Sequence, residues 1–129
     1  MRPIIPVAAL LAAMAGCASV GVQNPAGLRA HSPVASLEGA GEQAAAALCL
    51  VHGLEREGSG FGIQASTRPS PDASVPEVIG RMDGDALVVM DVRQPAPGRL
   101  RVDYYLEKGL VFKGFLEARI RRAILGCFA

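Results

Sequence analysis

Residues 84–107 read GDALVVMDVRQPAPGRLRVDYYLE, two apolar runs on either side of a break rich in Pro and Gly. In Ala86–Val92 nearly every position is apolar, the pattern of a strand covered on both faces. Beyond RQPAPG (93–98), Leu100, Val102, Tyr104 and Leu106 alternate with Arg99, Arg101, Asp103, Tyr105 and Glu107. Period-2 alternation marks a strand with one wet face. A sheet therefore forms the centre of the fold, with the second of these strands added antiparallel to the first.

Working outward, Ser74, Val75, Pro76 and Glu77 have the S-x-x-E spacing of a capping box, and Val75, Val78, Ile79 and Met82 follow at i, i+3, i+4 and i+7. This pattern predicts a short helix stopped by DGD at Asp83–Asp85. Upstream, Phe61–Thr67 reads as a strand, and the order strand, helix, strand implies a right-handed βαβ unit. Residues 41–57 predict a largely buried helix: Ala44–Ala47 favour it, Glu42 suits its positive end and Gly58 stops it. GSGFG (58–62) follows that helix and lacks the Lys of a phosphate loop, so it reads as a turn.

The C-terminal stretch 109–128 has two readings. In one it is a helix carrying Phe112, Phe115, Leu116, Ile120, Ala123, Ile124 and Cys127 on one stripe; in the other Leu110–Leu116 is a strand and only Glu117–Leu125 is helical. Both place Arg119, Arg121 and Arg122 near a helix C-terminus, with Glu117 and Arg121 paired at i, i+4. The expected fold is α/β or α+β: a small mixed sheet of three to four strands with two to three helices, over residues 39–129.

The N-terminus has a different character. Arg2 precedes an apolar run from Ile4 to Ala15. That run is too short for a membrane span, which needs about 20 residues, and suits a secretory h-region of roughly 7 to 15. It ends in AAMAGCAS (12–19), where Met14, Ala15, Gly16 and Cys17 resemble the lipobox of bacterial lipoprotein precursors. The resemblance implies a signal peptide at 1–16 and diacyl or triacyl modification of Cys17. Two or more chains are needed for a lasting anchor, since each buried CH₂ contributes about 0.8 kcal/mol. Ala18, in place of Asp, implies sorting to the outer membrane, periplasmic face, the inner membrane being the alternative. An ordinary signal cleaved elsewhere and an uncleaved anchor are the competing readings.

Residues 17–38 hold scattered Pro, Gly and polar residues without periodicity and read as a tether, His31 being solvated within it. A flexible coil of about 20 residues spans roughly 25 Å. Cleavage before Cys17 removes Arg2 and converts 13 basic against 12 acidic side chains into an even balance. No basic field then remains to attract nucleic acid.

With Cys17 lipidated, Cys49 and Cys127 remain in an oxidising compartment, where two leftover cysteines suggest a disulfide; two buried free thiols are the alternative. Such a bridge closes a long loop, worth on the order of 4 kcal/mol by the chain-entropy argument. No set of catalytic residues stands out. The two histidines are His31 and His52, the second read as partly buried in the helix, and no G-x-S-x-G occurs. Neither histidine has a second metal ligand at helical or loop spacing, and Asp83, Asp85, Asp91 and Asp103 read as solvated or capping groups. No metal or other cofactor is expected.

Across residues 40–107, the order of helix, strand, short helix, GDALVVMDV and RLRVDYYL resembles the small α/β domains of envelope accessory lipoproteins, related in architecture to the N-terminal domain of TolB. That resemblance implies a docking module, not an enzyme. The expected role is thus non-enzymatic contact with an envelope protein partner. The alternative is an apolar ligand held between helix and sheet near Tyr104 and Phe112.

Overall fold

The computed structural model of the chain describes residues 24–30, 33–71, 75–107, 109 and 113–129. At its centre are β4 (Asp85–Ala96) and β5 (Arg99–Leu106), joined through Pro97 and Gly98. Gly98 has φ 74°, a conformation open to glycine because it has no Cβ to clash. On the far side of β4 lies β3 (Pro76–Met82), then β2 (Gln64–Pro69), while β1 (Ala35–Ala40) pairs with β5. The sheet order is β1-β5-β4-β3-β2 and every pairing is antiparallel. The architecture is α+β, with five strands where three to four in a mixed sheet were expected.

The difference originates in residues 75–82. The stripe of Val75, Val78, Ile79 and Met82 belongs to a strand, not a helix. Val78 enters the main core and Ile79, the next residue, packs into a second cluster on the opposite face. A strand apolar on both faces presents neighbouring apolar residues, and that run coincides with a helical stripe. Pro76 is tolerated as the first residue of β3. Asp83 (φ 53°) and Gly84 (φ 86°) make the tight hairpin turn into β4, so DGD reverses the chain and does not stop a helix. Among the described residues β2 and β3 pair antiparallel, in place of the expected βαβ unit. Ser74 lies outside the described residues.

Helices α2 (Gln43–Glu57) and α3 (Lys113–Gly126) cover one face of the sheet. Leu50 and Leu54 of α2 and Leu116, Ile120 and Ile124 of α3 pack on Val88, Met90, Val92, Leu100, Val102 and Tyr104. The Glu42 carboxylate caps α2, accepting from the Ala44 and Ala45 amides at 3.1 and 2.9 Å. These hydrogen bonds, Ala45 first, hold its pKa below the usual glutamate value. The two helices run antiparallel and approach closely where a Cβ on Gly53 would come within 3.2 Å of the Ala123 Cβ. Cys49 and Cys127 are joined by a disulfide with Cα atoms 5.7 Å apart, closing a separation of 78 residues.

Residues 113–116 are helical, which removes the reading of Leu110–Leu116 as a strand; residues 110–112 lie outside the described set. The physical reason is that both sides of β5 are already occupied, by β4 and β1.

Part of the stretch 17–38 that reads as a tether carries regular structure. Pro25–Arg29 forms a short helix, α1, whose Asn24 side chain accepts from the Gly27 amide at 2.7 Å. α1 lies on the sheet face opposite α2 and α3, with Leu28 against Ile79, Ala86 and Val89. Residues 35–38 belong to β1.

Replacing both Cys49 and Cys127 by Ala should lower unfolding free energy by about 2–5 kcal/mol in urea titration. Unchanged stability would show that α2 and α3 hold together by packing alone.

Candidate functional site

The face of the sheet beneath α1 carries a polar row that crosses the five strands, charged on four of them. Arg68 of β2 lies opposite Glu77 of β3, Glu77 opposite Asp91 of β4, Asp91 opposite Asp103 of β5, and Asp103 opposite Ser36 of β1. The three carboxylates are buried, with Glu77 at 0%, Asp91 at 3% and Asp103 at 5% exposure. Buried carboxylates this close require cations. The Arg29 guanidinium of α1 supplies one, pairing with both Glu77 and Asp91, its Nε donating to Asp91 at 3.2 Å. Arg68 Nε donates to Glu77 at 2.7 Å, and Arg93 Nε donates to Asp103 at 2.9 Å while its Nη2 lies 3.7 Å from Asp91. Arg101 Nε sits 3.2 Å from Asp103, which also accepts from Ser36 Oγ at 2.5 Å.

Four arginines thus face three carboxylates. Burial works against the charged form of Arg29, but hydrogen bonding and attraction from Asp91, then Glu77, outweigh it and raise its pKa. Tyr105, two residues beyond Asp103 and on the same face of the strand, has its pKa raised by burial first and then by Asp91 and Asp103, against the pull of Arg93 and Arg29. Together Arg29, Ser70, Val75, Asp91, Arg93 and Tyr105 line a recess of about 230 Å³. On the other face, fully buried Tyr104 donates its hydroxyl to Glu117 at 3.0 Å. Its pKa is raised, chiefly by burial; Arg121 opposes the rise and Glu117 adds to it.

A larger groove opens on the opposite face, between α2 and the outer strand β2. Its volume is about 440 Å³, and its walls include Ala44, Ala47, Leu48, Pro69 and Pro76, with Gln43, Thr67 and Arg68 at the polar positions. Gln43 Nε2 donates to the Val92 carbonyl at 2.7 Å, fixing the first turn of α2 against the sheet. Beside the groove, β2 is blunted as an edge. The Ala65 amide donates to Glu55 of α2 at 3.3 Å, and Pro69 has no amide hydrogen.

Several sequence-level expectations change here. Asp91 and Asp103 are buried members of the row, not solvated groups, whereas Asp83 lies exposed on the β3–β4 turn. His52 is exposed, because it lies on the side of α2 opposite Leu50 and Leu54. Tyr104 is packed in the core, and Phe112, like His31 and Cys17, lies outside the described residues. GSGFG forms a 3-10 turn, Ser59–Phe61, leading into β2. Among the described residues no group of three or more His, Cys, Asp or Glu is placed to hold a metal ion. No helix among them is long and apolar enough to cross a membrane. The row was missed because Glu77 reads as a helix cap; the usable signal was a single carboxylate inside each of three apolar runs. Comparison with protein-family models, curated proteins and solved structures gave no match.

Arg29→Met should destabilise the fold by about 3–5 kcal/mol, because it leaves Glu77 and Asp91 buried without their shared cation. Adding Glu77→Gln and Asp91→Asn should recover most of that loss, and a failure to recover any would mean Arg29 acts mainly through packing. The chain has two Tyr and no Trp, so phenolate absorbance reports Tyr104 and Tyr105 alone. In the folded protein both should ionise above pH 10, and in urea near pH 10. Both pKa values are raised by folding, so their contribution to stability is intact below about pH 10 and is lost as pH rises through the folded values.

Proposed function

We propose that this chain is a lipid-anchored domain of a bacterial envelope, held by acyl chains on Cys17 at the periplasmic face of the outer membrane and acting by protein contact without catalysis. Cysteine use is the observation that supports the reading. Of three cysteines, Cys49 and Cys127 are closed on each other, a bond suited to an oxidising compartment. Cys17 is then the one thiol left over, at the end of the apolar run that resembles a lipobox. The contact surface we assign is the outer side of the helix layer, where Leu48, Phe115 and Leu125 are more than half exposed. Phe115 is held for contact by edge packing on Phe61 and by the Arg119 guanidinium 4.7 Å from its ring centre.

A second reading keeps an apolar ligand between helix and sheet, favoured by the groove of about 440 Å³ beside α2. That volume falls in the range of small-molecule sites.

Labelled palmitate should enter the wild-type chain in cells and not Cys17→Ser; equal labelling of both would overturn the anchor. A photo-crosslinker at position 115 or 125 should give one discrete adduct with an envelope protein, and the absence of any adduct would overturn the contact role.

A further inference from the structure

We infer that the outer edge of β1 pairs with a second copy of this chain, the two β1 strands running antiparallel about a two-fold axis at Leu37. The inference depends on neither the anchor nor the helix-face contact proposed above.

The hydrogen bonds of β1 show which of its backbone groups point outward. In an antiparallel pair, alternate residues direct both amide and carbonyl at the partner strand, and the residues between them direct theirs away. The Gly41 amide donates to the Gly98 carbonyl at 3.0 Å, continuing the register that pairs Ala40 with Arg99. Ala35, Leu37 and Gly39 therefore face β5, and Ser36, Glu38 and Ala40 face away from it. The Ala40 carbonyl agrees with this, accepting from the Ala129 amide at 2.8 Å on the outer side. That bond closes one end of the edge. Among the described residues, the outward amides and carbonyls of Ser36 and Glu38 meet no backbone partner. Unlike β2, whose Ala65 amide is held by Glu55, β1 contains no Pro or Lys, and its pairing with β5 runs without a shift. It lacks the devices that protect an edge from pairing.

The open groups select the occupant. They lie one residue to either side of Leu37, so a two-fold axis there sets Ser36 of each copy opposite Glu38 of the other and pairs every one of them. Such an interface is self-complementary, the arrangement that closes a dimer. Leu37, half-buried against the main core, then meets Leu37 of the second copy at a non-hydrogen-bonded position, where side chains approach most closely. On the other face Glu38, its side chain 60% exposed, lies across from Ser36.

The neighbouring registers fit less well. An axis at Glu38 sets like charges directly opposite each other and aims the Ser36 amide at the Ala40 carbonyl, which Ala129 already occupies. An axis at Ser36 leaves the Glu38 carbonyl without a donor, because the facing Val34 amide is given to the Tyr104 carbonyl at 2.8 Å.

The test uses the full-length chain as cells make it, extracted in mild detergent and gently oxidised after substitution. Leu37→Cys should give a dimer in which mass spectrometry finds the residue-37 peptide joined to itself, since facing Cα atoms at such a pair are about 4.5 Å apart, within disulfide reach. Glu38→Cys, with no copy of itself opposite, and His52→Cys, exposed on α2, should each give at least fivefold less. Adding Glu38→Pro to Leu37→Cys removes an outward amide and no bond to β5. It should cut the link at least tenfold while circular dichroism and the Cys49–Cys127 bridge are retained. Linkage at position 37 no stronger than at 38 or 52 would overturn the proposal, as would linkage that survives Glu38→Pro in the folded chain. An adduct of Leu37→Cys with a different protein in place of the self-link would overturn the second copy as occupant.

Discussion

One guanidinium neutralises the two most deeply buried carboxylates of this fold. Arg29 sits between Glu77 and Asp91, carboxylates on adjacent strands with almost no access to water. Without a cation between them, burying both would be prohibitive. The strands that carry them, β3 and β4, also hold Val78, Val88, Met90 and Val92 in the main core. The sheet therefore needs cover on both faces: α2 and α3 on the apolar side, α1 with its arginine on the charged side.

That requirement explains why five residues of helix belong to the domain at all. Pro25–Arg29 is too short to be stable in isolation, since helix nucleation is unfavourable and short helices are marginal. It is held by Leu28 in the small cluster with Ile79, Ala86 and Val89, and by the ion pairs of Arg29. On the opposite face the disulfide has the complementary role. It ties α2 to α3 across 78 residues of chain, where Gly53 and Ala123 let the helices approach closely. The exposed features, the groove beside β2 and the apolar side chains on the outer helix face, rest on these two fixed layers.

Alignment of the charged row is a matter of register. The β3–β4 hairpin pairs Met82 with Asp85, and continued without interruption this pairing would set Glu77 opposite Met90, on the wrong face. The irregularity between Gly80 and Arg81 shifts the pairing by one residue and sets Glu77 opposite Asp91. A second shift, between Arg93 and Ala96, does the same for Asp91 and Asp103, where the turn alone would pair Asp91 with Tyr104. A one-residue slip moves a side chain to the other face of a sheet, so the row exists because of two bulges.

Much of the local structure was legible in the chain. Residues 41–57 are alanine-rich, acidic at one end and glycine-stopped at the other, and they form α2 over Gln43–Glu57. The alternation in 99–107 and the unbroken apolar run of 86–92 correspond to β5 and β4, because side-chain period and composition are local properties. Only the tertiary structure decided that 76–82 is a strand, since its apolar stripe fits both periods and the choice depends on which faces are covered. It alone decided that Asp91 and Asp103 are buried, because their cations come from α1 and from neighbouring strands, and that Pro25–Arg29 is folded. These outcomes depend on pairing between residues distant in sequence, and no window of local pattern contains both partners.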